Sequence, residues 1–507
     1  MNKGVRIGLV TAKASCQIIA VVVSLLAGRA FDANAQTETN LFSFVNLTDN
    51  GSYTGAGLAQ GRDGNFYGTT DYGGTSTNCG IGVGCGTVFR ISPSGIYTTL
   101  HSFAGYPTDG GTPIGKGLLV QGTDGNFYGT TRYGGTSANC GVGVGCGTVF
   151  RISPSGTYTT LHSFAGYPTD GGTPFAGLVQ GSDGTFYGTT YGGGANGLGS
   201  VFRISPSGTH TTLYSFGNSP DDGDTSFSWL VQGSDGNLYG TTDDGGTNGL
   251  GTVFRISPSG TYTTLYSFGN SPADGSDVQA GLVQGSDGNF YGVAGGGGTN
   301  SCDCGAVFRI SPSGTYTTLY SFGSSPTDGV NAWAGIVQGS DGNFYGVADS
   351  GGTSTNCGVG VGCGTLFRIS PSGTYATLYS FGSSSTDGQT PRGLLVQGSD
   401  GSFYGTTAYG GTNNIGTVFR SSVPLNPPPY PINQITEVQL SGTNVVLRIP
   451  SIAGETYQLQ ISSSMTPTNW VNVSGVSVTN SIGALLTLTN FGGALQSQRF
   501  YRFDITP

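Results

Sequence analysis

A four-strand sequence unit occurs seven times along this chain, and one copy is split between the two ends of the repeat region. Each unit carries a turn of the form D-G-[NTS]-[FL]-Y-G, followed by the block GTVFRISPSGTYTTLYSF or a close variant. The turn aspartates are Asp63, Asp124, Asp183, Asp235, Asp287, Asp341 and Asp400. A period of this length indicates stacked supersecondary units that share one continuous core.

Each unit consists of two predicted β-hairpins. The run GLVQG is joined to NFYGTT by Ser-Asp-Gly, and GTVFRI is joined to TYTTLYSF by Ser-Pro-Ser-Gly. These turns separate runs rich in β-branched and aromatic residues, which is typical of hairpins. We name the four strands A to D in chain order. Seven such units predict an all-β fold, a seven-bladed β-propeller.

The strand count indicates how the ring closes. Strands A, B and C occur seven times, but the D ending L-x-S-F follows only six C strands. After Arg420 the chain leaves the pattern, whereas Leu41-Phe42-Ser43-Phe44 stands alone before the first strand A. Pairing this N-terminal strand with the last blade would remove two exposed sheet edges. We therefore expect the N-terminal strand to close the ring.

The segments around the repeats have other predicted roles. Basic residues, an apolar run at 18–27 and Ala33-Asn34-Ala35 predict a signal peptide, because the run is shorter than the about 20 residues of a membrane span. No transmembrane anchor is expected in the mature chain, which we place outside the cell, on the cell surface or in the periplasm. The predicted divisions are a signal peptide at 1–35, the propeller at 36–423, a Pro-rich linker at 424–431, and a fibronectin type III-like β-sandwich at 432–507.

The repeat blocks GSDGNFYGTT and GTVFRISPSGTYTTLYSF closely resemble the GloVer tandem repeat of exported bacterial choice-of-anchor proteins. The resemblance covers Leu41 to Arg420. It implies an exported, propeller-like repeat protein, but no agreed biochemical function. The C-terminal end departs from the commonest anchoring pattern, since Arg499 to Arg502 read as a strand rather than an apolar anchor with a basic tail.

Charge and composition exclude some function classes. Charged residues make up only 9% of the chain, and the net charge is -9. Nucleic-acid binding requires a basic surface, so we expect no nucleic-acid partner. No motif in the chain predicts a cofactor or a metal ion.

Eight cysteines lie in the loops between strands B and C, in four local pairs. In an exported protein, such an even and paired set predicts disulfides. The alternative is a zinc site, which the absence of nearby histidines at ligand spacing disfavours. Whether the third pair forms a bridge across a single residue is left open. The pairs are Cys79 with Cys85, Cys140 with Cys146, Cys302 with Cys304, and Cys357 with Cys363.

The B–C and D–A loops are expected on one face of the propeller, and they vary between units far more than the turns on the other face. Varied loops on a rigid scaffold are the usual design of a binding surface. One ring of positions at the predicted channel lip also varies, with aromatic and cationic residues suited to stacking on a sugar. The predicted ligand-binding residues are Lys116, Phe175, Phe227, Trp229, Trp333 and Arg392. Local repacking is an equally consistent explanation.

Conventional catalytic groups are scarce. His101, His162 and His210 stand where other units have tyrosine in strand D, so we interpret them as aromatic packing. The recurring aspartates and arginines are interpreted as scaffold, since a site rarely needs seven copies. The leading hypothesis is a non-enzymatic protein that binds a polysaccharide or a cell-surface protein through the variable face. The alternatives are a secreted lyase or glycoside-active enzyme that uses loop carboxylates at the channel mouth, and a structural envelope or matrix protein.

Overall fold

The computed structural model describes most of the repeat region and the strands of a second unit. The described residues are 37–422, apart from 46–49, 77, 80–83, 114–117, 142, 272, 301, 326 and 358–361, together with strands at 8–10, 437–441, 444–450, 456–462, 471–479, 485–490 and 499–506. Contacts divide the chain into two units, of which one is Gln36–Ser422. No helix occurs among the described residues, so none there is long and apolar enough to cross a membrane.

The part of the chain from Gln36 to Ser422 is a seven-bladed β-propeller, as predicted. Each blade is an antiparallel sheet in the order A-B-C-D. The A strands are Ala59–Gln60, Val120–Gln121, Val179–Gln180, Val231–Gln232, Val283–Gln284, Ile336–Gln338 and Val396–Gln397. The B strands are Phe66–Thr70, Phe127–Thr131, Phe186–Thr190, Leu238–Thr242, Phe290–Ala294, Phe344–Ala348 and Phe403–Gly410. The C strands are Thr87–Ile91, Thr148–Ile152, Ser200–Ile204, Thr252–Ile256, Ala306–Ile310, Thr365–Ile369 and Thr417–Ser422. The D strands of blades 1 to 6 are Tyr97–Ser102, Tyr158–Ser163, His210–Ser215, Tyr262–Ser267, Tyr316–Ser321 and Tyr375–Ser380.

The N-terminal strand Thr37–Ser43 is the D strand of blade 7, which confirms the predicted closure. It pairs antiparallel with Thr417–Ser422, from Thr37 opposite Ser422 to Ser43 opposite Thr417. Phe44, at its end, is fully buried and donates its backbone N–H to Gly416 at 3.1 Å. The closing strand therefore supplies both ladder hydrogen bonds and core side chains to the last blade.

Two kinds of contact join each blade to the next, and both include the junction between blades 7 and 1. In every blade a backbone N–H in the A–B turn donates to the strand A glutamine of the following blade, ending with Ser399 to Gln60 at 3.0 Å. The strand B tyrosine stacks on the aromatic residue that begins strand B of the next blade, and Tyr404 lies 4.0 Å from Phe66 in this way. Leu238 takes the aromatic position in blade 4. Closure is therefore continuous around the ring.

The invariant aspartates have a local structural role, as predicted. In blade 1 the carboxylate of Asp63 accepts hydrogen bonds from the Asn65 backbone N–H at 3.1 Å, from the Asn65 side chain at 2.8 Å and from the Tyr67 hydroxyl at 2.7 Å. The turn needs a left-handed residue at Gly64, where φ is +79°. In blade 7 Arg420 also pairs with Asp400 at 2.7 Å.

Strand D side chains of neighbouring blades meet in a set of contacts that we call the outer pairs. Six of them are face-to-face ring stacks with centroids 3.9 to 4.3 Å apart. These are Phe42 with Tyr97, His101 with Tyr158, His162 with His210, Tyr214 with Tyr262, Tyr266 with Tyr316, and Tyr320 with Tyr375. The seventh joins Tyr379 of blade 6 to Glu38 of the closing strand. A carboxyl group therefore replaces an aromatic ring at this one junction.

Burial raises the pKa of Glu38 from 4.5 to about 8, with a further contribution from the nearby Asp387 carboxylate. Between these two pKa values the unfolded chain ionises Glu38 and the folded chain does not, so the wild-type protein loses stability as pH rises from 4.5 to 8. We expect Glu38→Gln to leave stability unchanged near pH 4.5 and to increase it by about 2–3 kcal/mol at pH 8.5, since one pKa unit corresponds to about 1.4 kcal/mol and part of the side chain is solvent-exposed.

Denaturant unfolding of both proteins across this pH range measures the difference. Asp221→Asn, which removes an exposed carboxylate of a D–A loop, is the matched control and should show no such rise with pH. If Glu38→Gln increases the free energy of unfolding by the same amount at pH 4.5 and at pH 8.5, the raised pKa of Glu38 is contradicted.

The other unit comprises Met1–Ala35 and Val423–Pro507, and its described part consists of two antiparallel sheets. One has the strand order Gly8–Val10, Arg499–Thr506, Thr456–Ser462, Val471–Thr479. The other has the order Glu437–Ser441, Asn444–Pro450, Leu485–Asn490. Gly8–Val10 falls in the predicted signal peptide, most of which lies outside the described residues, as does the linker at 424–431. A fibronectin type III-like sandwich therefore remains a prediction.

Candidate functional site: the variable face

The B–C and D–A loops come together on one face of the ring, as predicted. In blade 2 the loop pair is joined by a short antiparallel ladder, in which Gly110–Gly111 pairs with Tyr133–Gly134. The D–A loop also donates a hydrogen bond from the Thr112 backbone N–H to Cys85 of the preceding blade, at 2.6 Å. These ladders hold the variable loops in place on the rigid strands.

The three predicted disulfides Cys79–Cys85, Cys140–Cys146 and Cys357–Cys363 are present, and so is Cys302–Cys304, which the sequence had left open. They fit an oxidising compartment outside the cytoplasm. Each disulfide packs under a glycine of the following D–A loop. At Gly105, for example, an added Cβ atom would lie only 2.6 Å from Cys79 Sγ, so no larger residue fits there. In blade 3 Leu198 occupies this place beneath Gly217. The disulfides thus act both as covalent staples and as the apolar support of the loop.

Large side chains close the centre of the channel. The residue just before the strand A aliphatic position is glycine in blades 1, 3, 5 and 6, but it is Leu118, Trp229 and Leu394 in the other three. Trp229 is only 8% exposed, and a Cβ on Gly281 or Gly335 would lie 2.6 Å from its indole. A Cβ on Gly57 would lie 2.5 Å from Leu118. These side chains therefore fill the centre of the channel, and we call this level the channel floor.

An aromatic cluster with one cation lies at the lip of the variable face. Phe175 and Phe227, both partly exposed, have ring centroids 4.8 Å apart, and Tyr191 lies 4.8 Å from Phe227. The Arg132 guanidinium lies 4.3 Å from the centre of the Phe175 ring and 4.6 Å from that of Tyr133. The rings meet edge-to-face or tilted, and together with the guanidinium they offer both apolar surface and hydrogen-bond donors.

Arg392 lies on another part of the lip and is held by a carboxylate. Its Nε donates to both oxygens of Asp349 at 3.2 Å, and its Nη2 donates to Oδ2 at 2.9 Å. Asp349 is buried, whereas 46% of the Arg392 side chain is exposed. Burial also raises the pKa of the nearby Asp71 carboxyl well above its usual value, against the attraction of Arg392. Arg392 is therefore oriented in advance and still accessible.

The remaining predicted site residues have mixed placements. Trp333 is partly exposed, and its indole lies over Gly295. Lys116 lies outside the described residues. Trp229 forms the channel floor instead of standing at the lip, so the structure gives it a packing role, and a ligand contact by it stays a prediction.

Sequence reasoning missed Arg132, Tyr191 and Asp349, which directly follow strand B. The signal was available, because the residue that follows the five-residue strand B pattern is of five different types in the seven blades. The seven residues are Asp71, Arg132, Tyr191, Asp243, Gly295, Asp349 and Ala408. Members of this ring contact the strand A lip, since Arg132 and Tyr191 lie against Phe175 and Asp349 holds Arg392.

Carboxylates crowd the loops of blades 4 and 5. The Thr225 hydroxyl lies 3.2 Å from Asp224 Oδ1 and 3.1 Å from Asp244 Oδ2, so one hydroxyl bridges two carboxylates. Burial and the charge of Asp244 raise the pKa of Asp224. Asp277 also has a raised pKa, from burial and then from Asp303 and Asp244. This part of the variable face is acidic.

The family model described as the Gloeobacter/Verrucomicrobia repeat matches residues 138–359 and 273–426, which together are more than half of the chain. The chain belongs to the Gloeobacter/Verrucomicrobia repeat family. The predicted GloVer resemblance is thereby confirmed, and the two overlapping matches span blades of this propeller. No functionally curated protein matches this repeat protein.

Several solved structures share parts of the fold at low identity. The extracellular domain assigned to a hybrid two-component system of B. thetaiotaomicron has a TM-score of 0.47 and 12% identity, with 89% of this chain and 53% of that chain covered. The repeat protein thus spans about half the length of that domain. A lectin from Burkholderia pseudomallei has a TM-score of 0.45 and 9% identity, with 71% and 96% covered. A protein assigned as a 6-phosphogluconolactonase from Bacteroides uniformis has a TM-score of 0.41 and 14% identity, with 79% and 94% covered. At these values the similarities carry no argument about function.

Proposed function

We propose that this repeat protein is a non-enzymatic, exported binding protein that recognises a polysaccharide or another extracellular polymer through the lip residues of its variable face. The observation that carries the proposal is the partly exposed group of Phe175, Phe227 and Tyr191 with Arg132 against it. The invariant aspartates, tyrosines and glutamines already have partners within the scaffold, whereas these lip residues differ from blade to blade. Their conformation is fixed by mutual packing, so little ordering is required when a ligand binds.

The chemistry of the lip suits a sugar polymer. A pyranose ring presents an apolar face that stacks on an aromatic side chain, and its hydroxyl groups accept hydrogen bonds from guanidinium groups. Arg132 and the prepositioned Arg392 provide donors at two places on the lip. The channel floor at Trp229 keeps such a ligand at the surface of the variable face. A polymer would therefore bind along its length across the lip and would not thread through the ring.

A screen of the full chain against immobilised glycans and bacterial extracellular polymers tests the proposal. Phe227→Ala and Trp333→Ala are each expected to weaken binding of a hit about 10- to 100-fold, as loss of a central aromatic contact does. The matched control is Ile96→Ala, which removes a 70% exposed apolar side chain from the C–D turn on the opposite face. Equal affinity of the wild-type and lip variants would contradict the proposal.

The enzyme alternative rests on the two carboxylates that Thr225 bridges, because acid–base cleavage of a glycosidic bond requires a pair of neighbouring carboxyl groups. A product assay on each polymer that binds distinguishes it. Turnover that Asp224→Asn and Asp244→Asn abolish would replace the binding proposal with an enzymatic one. Failure to bind any polymer would favour the structural role.

A further inference from the structure

The outer pair between blades 2 and 3 differs chemically from every other one that the structure describes. Here His162 and His210 stack with ring centroids 4.1 Å apart. Asp170, from the D–A loop of blade 2, lies directly beside both rings. Its Oδ2 is 2.7 Å from His162 Nε2, and its Oδ1 is 3.5 Å from His210 Nε2. Two imidazoles and a carboxylate thus meet at one blade junction.

The other outer pairs show the ordinary role of these positions. In blades 3, 4 and 5 the D-strand tyrosine donates its hydroxyl to the loop aspartate, as Tyr214 does to Asp222 at 2.5 Å. In blade 1 His101 takes that role beside Asp109 at 3.0 Å, with Tyr158 stacked on it. Packing is therefore satisfied by a tyrosine at either position, and two histidines are not required for it.

In the trio of His162, His210 and Asp170, the buried ring nitrogen is Nε2 of His210. Its Nε2 has no hydrogen-bond partner, and only 11% of its side chain is exposed. Tyr262 and Tyr316 occupy the same position in later blades and also have unpartnered hydroxyls. A neutral phenol is a poor metal ligand at neutral pH, but a neutral imidazole is among the commonest. The replacement of tyrosine by histidine at this position therefore introduces a ligating atom.

We propose that His162, His210 and Asp170 form a binding site for a divalent transition-metal ion such as Zn²⁺, which joins blade 2 to blade 3. The donor set of two nitrogens and one carboxylate oxygen is one that zinc accepts, with water in the fourth position. The three ligating atoms all lie within 4.8 Å of one another. Solvent reaches the site through His162, whose side chain is 22% exposed.

Binding requires a limited rearrangement. Zinc lies about 2.0–2.1 Å from a ligating nitrogen and in the plane of its ring, so one ion can join nitrogens up to about 4 Å apart. The two rings are parallel to within 2° and must rotate out of the stack for both to point at one ion. Coordination would also replace the His162–Asp170 hydrogen bond. The site should therefore bind Zn²⁺ by exchanging one set of contacts for another between the same two blades.

Isothermal titration of the chelator-stripped full chain with Zn²⁺ tests the proposal. We expect one equivalent to bind with micromolar or tighter affinity, and thermal unfolding to shift up by a few degrees at saturation, because the ion binds only the folded ring. The double variant His162→Tyr/His210→Tyr copies the outer pairs of blades 3 to 5, so it should fold normally. Its affinity should fall at least 100-fold.

Two further variants make the test specific. His101→Tyr removes a histidine that also faces a loop aspartate, and it should leave zinc binding unchanged. Tyr158→His places a second imidazole beside His101 and Asp109, and it should raise the stoichiometry from one to two. Equal zinc binding by the wild type and the double variant would assign the ion to the acidic loops instead. No binding up to 1 mM Zn²⁺ would leave the histidines with a packing role only. Either result overturns the proposal.

Discussion

Deleting residues 36–45 should lower the melting temperature of the propeller by more than about 15 °C or prevent folding altogether. The deletion removes the D strand of blade 7, with its ladder to Thr417–Ser422, and the fully buried Phe44. Loss of a buried phenylalanine alone costs about 3–5 kcal/mol, and loss of the whole strand adds the cost of its ladder hydrogen bonds and of its other packing contacts. The deletion also leaves the C strand of blade 7 with an unpaired edge, which favours aggregation.

Circular dichroism and calorimetry of the full chain with this internal deletion measure the effect. The point variant Phe44→Ala removes the core contact but keeps the ladder, and it should fall between the wild type and the deletion. A synthetic peptide of residues 36–45 should restore part of the lost stability in a concentration-dependent manner. An unchanged melting temperature of the deletion protein would contradict closure by this strand.

Trp229→Ala should destabilise the propeller by about 3–5 kcal/mol, because it leaves a large cavity at the centre of the ring. The indole of Trp229 lies against blades 5 and 6, at the glycines described above, and packs in one cluster with Ala176 of blade 3. Neighbouring blades cannot collapse into the space, since each is held by its own hydrogen-bond ladder. The loss should therefore be close to the full value for a buried tryptophan.

Trp333→Ala is the matched control in the same protein. Trp333 is partly exposed at the lip, so its truncation should change stability by less than about 1 kcal/mol while weakening ligand binding. Chemical denaturation followed by circular dichroism measures both variants. If Trp229→Ala unfolds at the wild-type denaturant concentration, the indole does not support the channel floor.

Much of this architecture could be predicted from local sequence. Strands A to D are joined by short turns, so each hairpin is encoded within one unit by its Asp-Gly or Ser-Pro-Ser-Gly segment. The solitary L-x-S-F motif predicted ring closure because a D strand was missing elsewhere. The disulfides at Cys79, Cys140 and Cys357 were predictable since their partners lie six residues away. Local spacing carries this information directly.

Contacts between blades were harder to predict. Asp170 and His210 are 40 residues apart in the sequence, and only the stacking of neighbouring blades brings the carboxylate to the ring. The place of Glu38 beside Tyr379 depends on a residue more than 300 positions away in the sequence. The interblade hydrogen bonds of Gln60 and its counterparts were not foreseen for the same reason.

The amino-acid sequence encodes a seven-bladed ring closed by its N-terminal strand, because the strands pair locally and an unpaired edge must find its partner. Three features became visible only in the folded ring: Trp229 fills the channel, Arg132 and Tyr191 join the lip, and two histidines share one aspartate. These features depend on which side chains of different blades approach each other. That approach is set by the curvature of the closed ring, which no single repeat specifies.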